Sequence, residues 1–197
     1  MKHDKKSRVR DLPGLELLEK ELGRELYRRR FRRLLRSTVN GLIVVAAIAA
    51  LIATLVLPVL QIAGTSMEPS LHDGDIVVLV KTDEMETGDL CAFYFSNKIL
   101  IKRVIGTPGD YLWIEPDGTV YLNGTVLDEP YLTEKALGEC DVEFPYQVPE
   151  TNYFMMGDRR ADSIDSRSSV IGCIAEDQIL GKILCKFWPL NQFEWMK

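Results

Sequence analysis

No charged side chain occurs between Arg36 and Glu68. Within that gap, residues 42–60 read LIVVAAIAALIATLVLPVL, with Thr54 the only polar side chain. A helix rises about 1.5 Å per residue, so this run covers nearly all of a roughly 30 Å hydrocarbon core. Flanking residues from 39 and out to 63 add the remaining length, and Pro58 falls near the far end, where a lost backbone hydrogen bond is best tolerated. A core helix of a soluble protein would show a polar face. A cleavable secretory signal has a shorter apolar region, ~7–15 residues, after a short basic start, whereas here 38 residues come first. The run therefore predicts one permanent transmembrane helix over 39–63.

Charge divides on either side of it. Residues 1–38 hold 13 basic and 6 acidic side chains, a net of +7, and the other 159 residues hold 11 and 23, a net of −12. Arg28, Arg29, Arg30, Arg32, Arg33 and Arg36 directly precede the apolar run. Basic flanks remain on the cytoplasmic side, which predicts a cytoplasmic segment 1–38 and an extracytoplasmic part from about 62 onward. The adjacent anchor accounts for the arginines without a nucleic-acid partner. Leu15, Leu18, Leu22 and Leu26 recur at helical spacing, as in a basic amphipathic helix resting on membrane lipid over 14–36.

Residues 64–197 read as mostly strand. Segments 76–80, 90–95, 99–105, 111–115, 119–123 and 152–156 are rich in β-branched and aromatic residues, bounded by HDGD, ETGD, TPGD, PDG and NG turns. Asp117 and Gly118 separate two such runs and predict a tight hairpin. Residues 131–150 are acidic and loop-like, within a small inserted region at about 111–150. The fold class expected is mostly β: a single N-terminal transmembrane helix followed by an antiparallel β domain. Cys91, Cys140, Cys173 and Cys185 all fall outside, allowing three disulfide pairings, but three sit in apolar runs and buried thiols are favoured. No spacing suits a metal, and no cofactor is implied.

A Ser–His–Asp or Cys–His site needs a histidine on this side, and only His72 is available, in the turn LHDGD. A nucleophilic enzyme built here must use another base, and lysine is the known substitute.

Three segments read together supply one. Gly64-Thr65-Ser66-Met67-Glu68-Pro69-Ser70-Leu71 follows the anchor. Ile101-Lys102-Arg103-Val104-Ile105-Gly106 comes next, and then Met156-Gly157-Asp158-Arg159-Arg160-Ala161-Asp162-Ser163-Ile164-Asp165-Ser166-Arg167. In this order, after one transmembrane segment, they resemble the type I signal peptidases, membrane-bound serine proteases with a Ser–Lys dyad, through Gly181-Lys182 and Trp188-Pro189. The resemblance implies Ser66 as nucleophile and Lys102 as general base. A lysine amine has a reference pKa of ~10.4, so such a base must be desolvated. Lys102 has apolar neighbours along its strand, Arg103 should face away from it, and the family register adds Leu100, Met155 and Ile164 around it. By the same register Ser163 would orient Lys102, and Asp158, Arg160, Asp165 and Arg167 would make the ionic contacts that hold the loop.

Two positions depart from the family pattern. The usual Gly-Asp-Asn-Arg reads Gly157-Asp158-Arg159-Arg160, and the usual Asn before the serine is Asp162. The oxyanion hole would use the Ser66 backbone N–H, and the position two residues earlier, a hydroxyl in some members, is Gly64, as in the Gram-positive variant. The resemblance further implies that the partners are exported preproteins with signal peptides, cleaved after a small-x-small motif such as Ala-x-Ala. The aromatic runs at 93–95 and at Phe187 and Trp188 read as core rather than lipid contacts. A Ser–Lys protease dedicated to one substrate and a non-catalytic anchored β domain remain open alternatives.

Overall fold

The computed structural model describes residues 15–82 and 84–196, so the first fourteen positions of the basic segment lie outside the described residues. One helix, α1 (Leu15–Val56), carries the arginine cluster and most of the apolar run without interruption. It contains a stretch long and apolar enough to cross a membrane. Leu22 and Leu26 are exposed on it.

The helix ends sooner than the expected span of 39–63. Proline disfavours helical backbone at the residue before it, and α1 stops two residues short of Pro58. The next residues form strand β1 (Val59–Gln61), which pairs with β2 (Ile76–Val80). The tail of the apolar run is thus part of the β domain.

The remaining strands are β3 (Leu90–Phe95), β4 (Lys98–Gly106), β5 (Tyr111–Ile114), β6 (Val120–Leu122), β7 (Thr125–Val126), β8 (Tyr146–Gln147), β9 (Asn152–Met156), β10 (Ile174–Ala175), β11 (Ile179–Trp188) and β12 (Glu194–Trp195). The main sheet runs β1-β2-β11-β3-β4-β9-β10, with β12 also on β11, and a smaller sheet runs β7-β6-β5-β8. Every ladder is antiparallel. The expected hairpin joins β5 to β6 through Gly118, at φ +88°.

The alternation of β4 divides its side chains between two environments. Leu100, Lys102 and Val104 share a face, and Cys91 of β3 stands directly opposite Lys102. Cys91, Phe93, Val104, Tyr153, Met155 and Ile174 form one apolar cluster there, with Leu100 packed against it. Ile105, Phe154 and Met156 pack instead against Leu112, Ile114 and Val120 of the small sheet. Residues 131–150 are no mere surface excursion: Val148 is buried and Phe144 and Leu137 pack on that second cluster. Phe93 is core, as expected, but Phe187 and Trp188 are about half exposed. All four cysteines are free thiols.

Candidate active site

The turn after β1 delivers Ser66. Ile62 N–H donates to the Asp75 carbonyl at 2.8 Å and Gly64 N–H to Asp73 Oδ1 at 2.8 Å, which fixes the chain on both sides of Ala63. Met67 and Leu71, both buried, anchor the far side of the turn in the cluster formed with Val77, Leu79 and Leu90. Ser66 stays at the surface of that packing. Its own N–H has no acceptor among the described residues.

Lys102 reaches this serine from β4. Its Nζ lies 2.9 Å from Ser66 Oγ and 2.9 Å from Ser163 Oγ, and the residue is only 4% exposed. Burial is the largest influence on the amine and holds its pKa below the ordinary lysine value. Asp165 and Asp158 act against this, and Arg167 reinforces it. Cys91, across the ladder, is itself pushed up to about 12 by burial, with Asp89 adding to the effect, so it stands there as a neutral thiol. Leu100 and Met155 line this face as expected, whereas Ile164 is 51% exposed.

The loop 157–167 brings in the third side chain. Gly157 N–H donates to Asp165 Oδ2 at 2.9 Å, and Arg167 grips the same carboxylate through Nε and Nη2, each at 2.8 Å. Burial raises the Asp165 pKa, but these partners outweigh it and leave the group below the usual carboxylate range. The loop also bonds directly to the serine turn, because Arg159 N–H donates to the Ser66 carbonyl at 3.1 Å. A Cβ on Gly157 would sit 2.7 Å from the Ser66 carbonyl oxygen and 2.6 Å from Ser163 Cβ, so only glycine fits.

Asp158 and Arg160 are both buried, but not against one another. Asp158 receives Arg103 Nε at 2.8 Å and Nη2 at 2.6 Å, and Ser70 Oγ donates to it as well. Arg160 pairs with Glu129. Arg103 does face away from Lys102, and in doing so it ties β4 to the loop and, through Ser70, to the serine turn. Sequence reasoning missed Arg103, Ser70 and Glu129 as site components. The Lys-Arg pair in a strand was a readable signal for the first, but nothing local marked Glu129.

Arg159 is not among the charges that act on Lys102. It pairs with Glu68 at 3.3 Å and with Asp162 at 2.9 Å. His72 stands exposed in its turn. No group of three His, Cys, Asp or Glu among the described residues is arranged to hold a metal.

Ser66 opens on a cleft of about 210 Å³ between β1 and the start of β4, lined by Leu60, Ile62, Ala63, Met67, Ile99 and Ile101. A larger cleft, about 450 Å³, lies on the small sheet around Tyr111, Trp113 and Tyr121 and contains none of the residues above. A serine hydroxyl against a buried amine whose pKa is lowered is an arrangement that can transfer a proton and attack an acyl carbon.

Comparison with known proteins bears on which acyl compound that is. The family described as "Signal peptidase, peptidase S26" matches residues 35–188. A signal peptidase I of Bacillus licheniformis is 38% identical across 66% of this chain and 76% of its own length. A signal peptidase IB of Staphylococcus aureus is 38% identical across 68% and 79%. A solved signal peptidase I of Enterococcus faecalis is 28% identical, with a TM-score of 0.41 over 50% of this chain and 96% of that one. The chain is a peptidase and belongs to the signal peptidase family, peptidase S26.

Proposed function

We propose that this peptidase removes signal peptides from exported preproteins by a Ser66–Lys102 mechanism at the outer face of the cell membrane. The observation that supports it most is the buried Lys102 amine, 2.9 Å from both Ser66 Oγ and Ser163 Oγ. Neutral Lys102 takes the Ser66 proton as Oγ attacks the scissile carbonyl, and returns it to the leaving amine as the C–N bond breaks. A water deprotonated by the same amine then releases the acyl group. Ser163 holds Lys102 in line with Ser66. Asp158, Arg160, Asp165 and Arg167 hold the loop that carries Ser163.

The free Ser66 N–H is the oxyanion donor. Gly64 supplies neither a hydroxyl nor its N–H, which Asp73 occupies. The cleft beside Ser66 is small and lined mainly by apolar side chains, with Gln61 among them, which suits the short side chains of an Ala-x-Ala motif.

The arginines before the apolar run favour a cytoplasmic N-terminus. Ser66 follows the end of α1 by ten positions, a placement suited to substrates that leave the bilayer beside it. Phe187, Trp188, Leu190, Phe193 and Trp195, all about half exposed or more, fit contact with membrane lipid.

Cleavage of an Ala-x-Ala precursor peptide by the detergent-solubilised full chain tests the reading against Ser66→Ala and Lys102→Met. Cleavage at the predicted bond, absent in both variants and rising through a pKa well below ~10.4, is expected. Full activity in Lys102→Met would remove the base from the mechanism. An intact panel of such peptides, with Ser66 still labelled by a serine probe, would favour one dedicated substrate instead.

A further inference from the structure

Glu129 is a buried charge drawn from outside both the main sheet and the loop 157–167. It follows β7, in the connection to β8. Its side chain and that of Arg160 are each 1% exposed. Arg160 Nη1 donates to Glu129 Oε2 at 3.3 Å, and Nη2 makes a second, shorter contact to Oε1. Two residues on, Tyr131 donates its hydroxyl to Glu129 Oε1 at 2.9 Å. The ring of Tyr131 carries the Arg103 guanidinium 3.8 Å from its centroid, a cation–π distance.

These two arginines bracket the reacting groups. Arg103 adjoins Lys102 on β4, and Arg160 lies three residues before Ser163. Arg160 also donates from Nε to the Gly157 carbonyl at 3.1 Å, and its own carbonyl accepts Arg167 Nη1 at 2.9 Å. A buried guanidinium that loses its carboxylate must find water or another anion. Arg160 is also bonded to the Gly157 carbonyl, so a shift of its guanidinium pulls on the turn between Gly157 and Ser163.

We propose that Glu129 and Tyr131 are positioning residues, a strap from the inserted region that holds Ser163 and Lys102 in register by pairing with Arg160 and Arg103. This rests on reading Ser66 and Lys102 as the dyad. The strap touches no reacting atom. It acts by fixing the turn that places Ser163 Oγ on the amine and keeps water from it. The charged groups that bear on Lys102 are Asp165, Asp158 and Arg167, with the Cys91 thiol opposite. A substitution at Glu129 removes none of them, so a change in Lys102 titration reports movement of the loop that carries Asp158, Asp165 and Arg167.

The test uses the full chain in detergent, with Glu129→Gln, Glu129→Asp and Tyr131→Leu compared by kcat, KM and the ascending limb of the pH profile, each normalised to the folded fraction. Glu129→Gln is expected to lower kcat roughly 10- to 100-fold with KM within about twofold, as misplacement on the ångström scale does. Its ascending limb should move to higher pH as the amine regains water. Glu129→Asp, which restores the charge on a shorter arm, should fall between, and Tyr131→Leu should shift the limb the same way by less. A limb that stays fixed in Glu129→Gln overturns the proposal, whether or not activity falls. If that variant does not fold, a fixed limb in Tyr131→Leu does so. A wild type that leaves the peptide intact, or a Ser66→Ala that cleaves it, would instead overturn the dyad.

Discussion

Arg159 and Asp162, the two positions at which the loop departs from the family pattern, face each other as an ion pair with Nε 2.9 Å from Oδ2. Each departure compensates the other, and a second contact from Arg159 to Glu68 links the loop to the serine turn. The side chains are 45% and 63% exposed, so the pair contributes little stability, roughly 0–1 kcal/mol. Replacing both by asparagine should keep cleavage within about threefold of wild type, a difference below about 1 kcal/mol. A kinetic double-mutant cycle checks this, and a tenfold loss in the double variant would refute it.

Gly157 admits no side chain. Gly157→Ala drives a methyl into the Ser66 carbonyl oxygen and Ser163, so loop and serine turn must separate. Peptide cleavage should fall about 100-fold or more, while the main sheet persists, as read by far-ultraviolet circular dichroism.

The buried amine of Lys102 also leaves a mark on stability. Its folded pKa is lowered, chiefly by burial, so between that value and ~10.4 the unfolded chain holds more protons than the folded one. Folding stability therefore rises with pH across this window, and the penalty is fully present below it. A methionine carries no such term. In a Ser66→Ala background, Lys102→Met should melt higher than its parent at pH 7, with the gap narrowing toward pH 10. A gap that is constant with pH would contradict the desolvated amine.

Thiol labelling reads the same interior. Cys91 is buried with its pKa pushed up to about 12, and only thiolates alkylate at useful rates. Iodoacetamide at pH 8 should modify the half-buried Cys140 and spare Cys91 until the protein is unfolded. Peptide mass mapping before and after denaturant checks this.

Much of this fold was readable where short apolar runs are rich in β-branched and aromatic residues. IVVLV, LCAFYF and NYFMM form strands over the same residues the sequence indicates, because β-branched and aromatic side chains fill both faces of a covered sheet. β11, ten residues long and central, was not marked as a strand. It carries Lys182 and Lys186 and is shifted in register against both neighbours, which breaks the period of two. Its lysines are tolerated because carboxylates meet them, Asp89 at 2.6 Å from Lys182 and Glu194 at 3.8 Å from Lys186. The residues of the site were legible through the resemblance of three segments to the family: Ser66, Lys102 and Ser163 do converge. The ionic residues Asp158, Arg160, Asp165 and Arg167 were named by the same resemblance, but Glu129 was not, since it reaches Arg160 from 31 residues away and no local pattern encodes such a contact.

Ser66 and Lys102 are 36 residues apart in the chain, and Lys102 and Ser163 are 61 apart. Loop closure over such separations costs entropy that only the completed sheets repay. The Ser66–Lys102–Ser163 arrangement is therefore among the last features this chain acquires as it folds. A partly folded copy, with its extended segments still unprotected, lacks the contacts that join Ser66, Lys102 and Ser163.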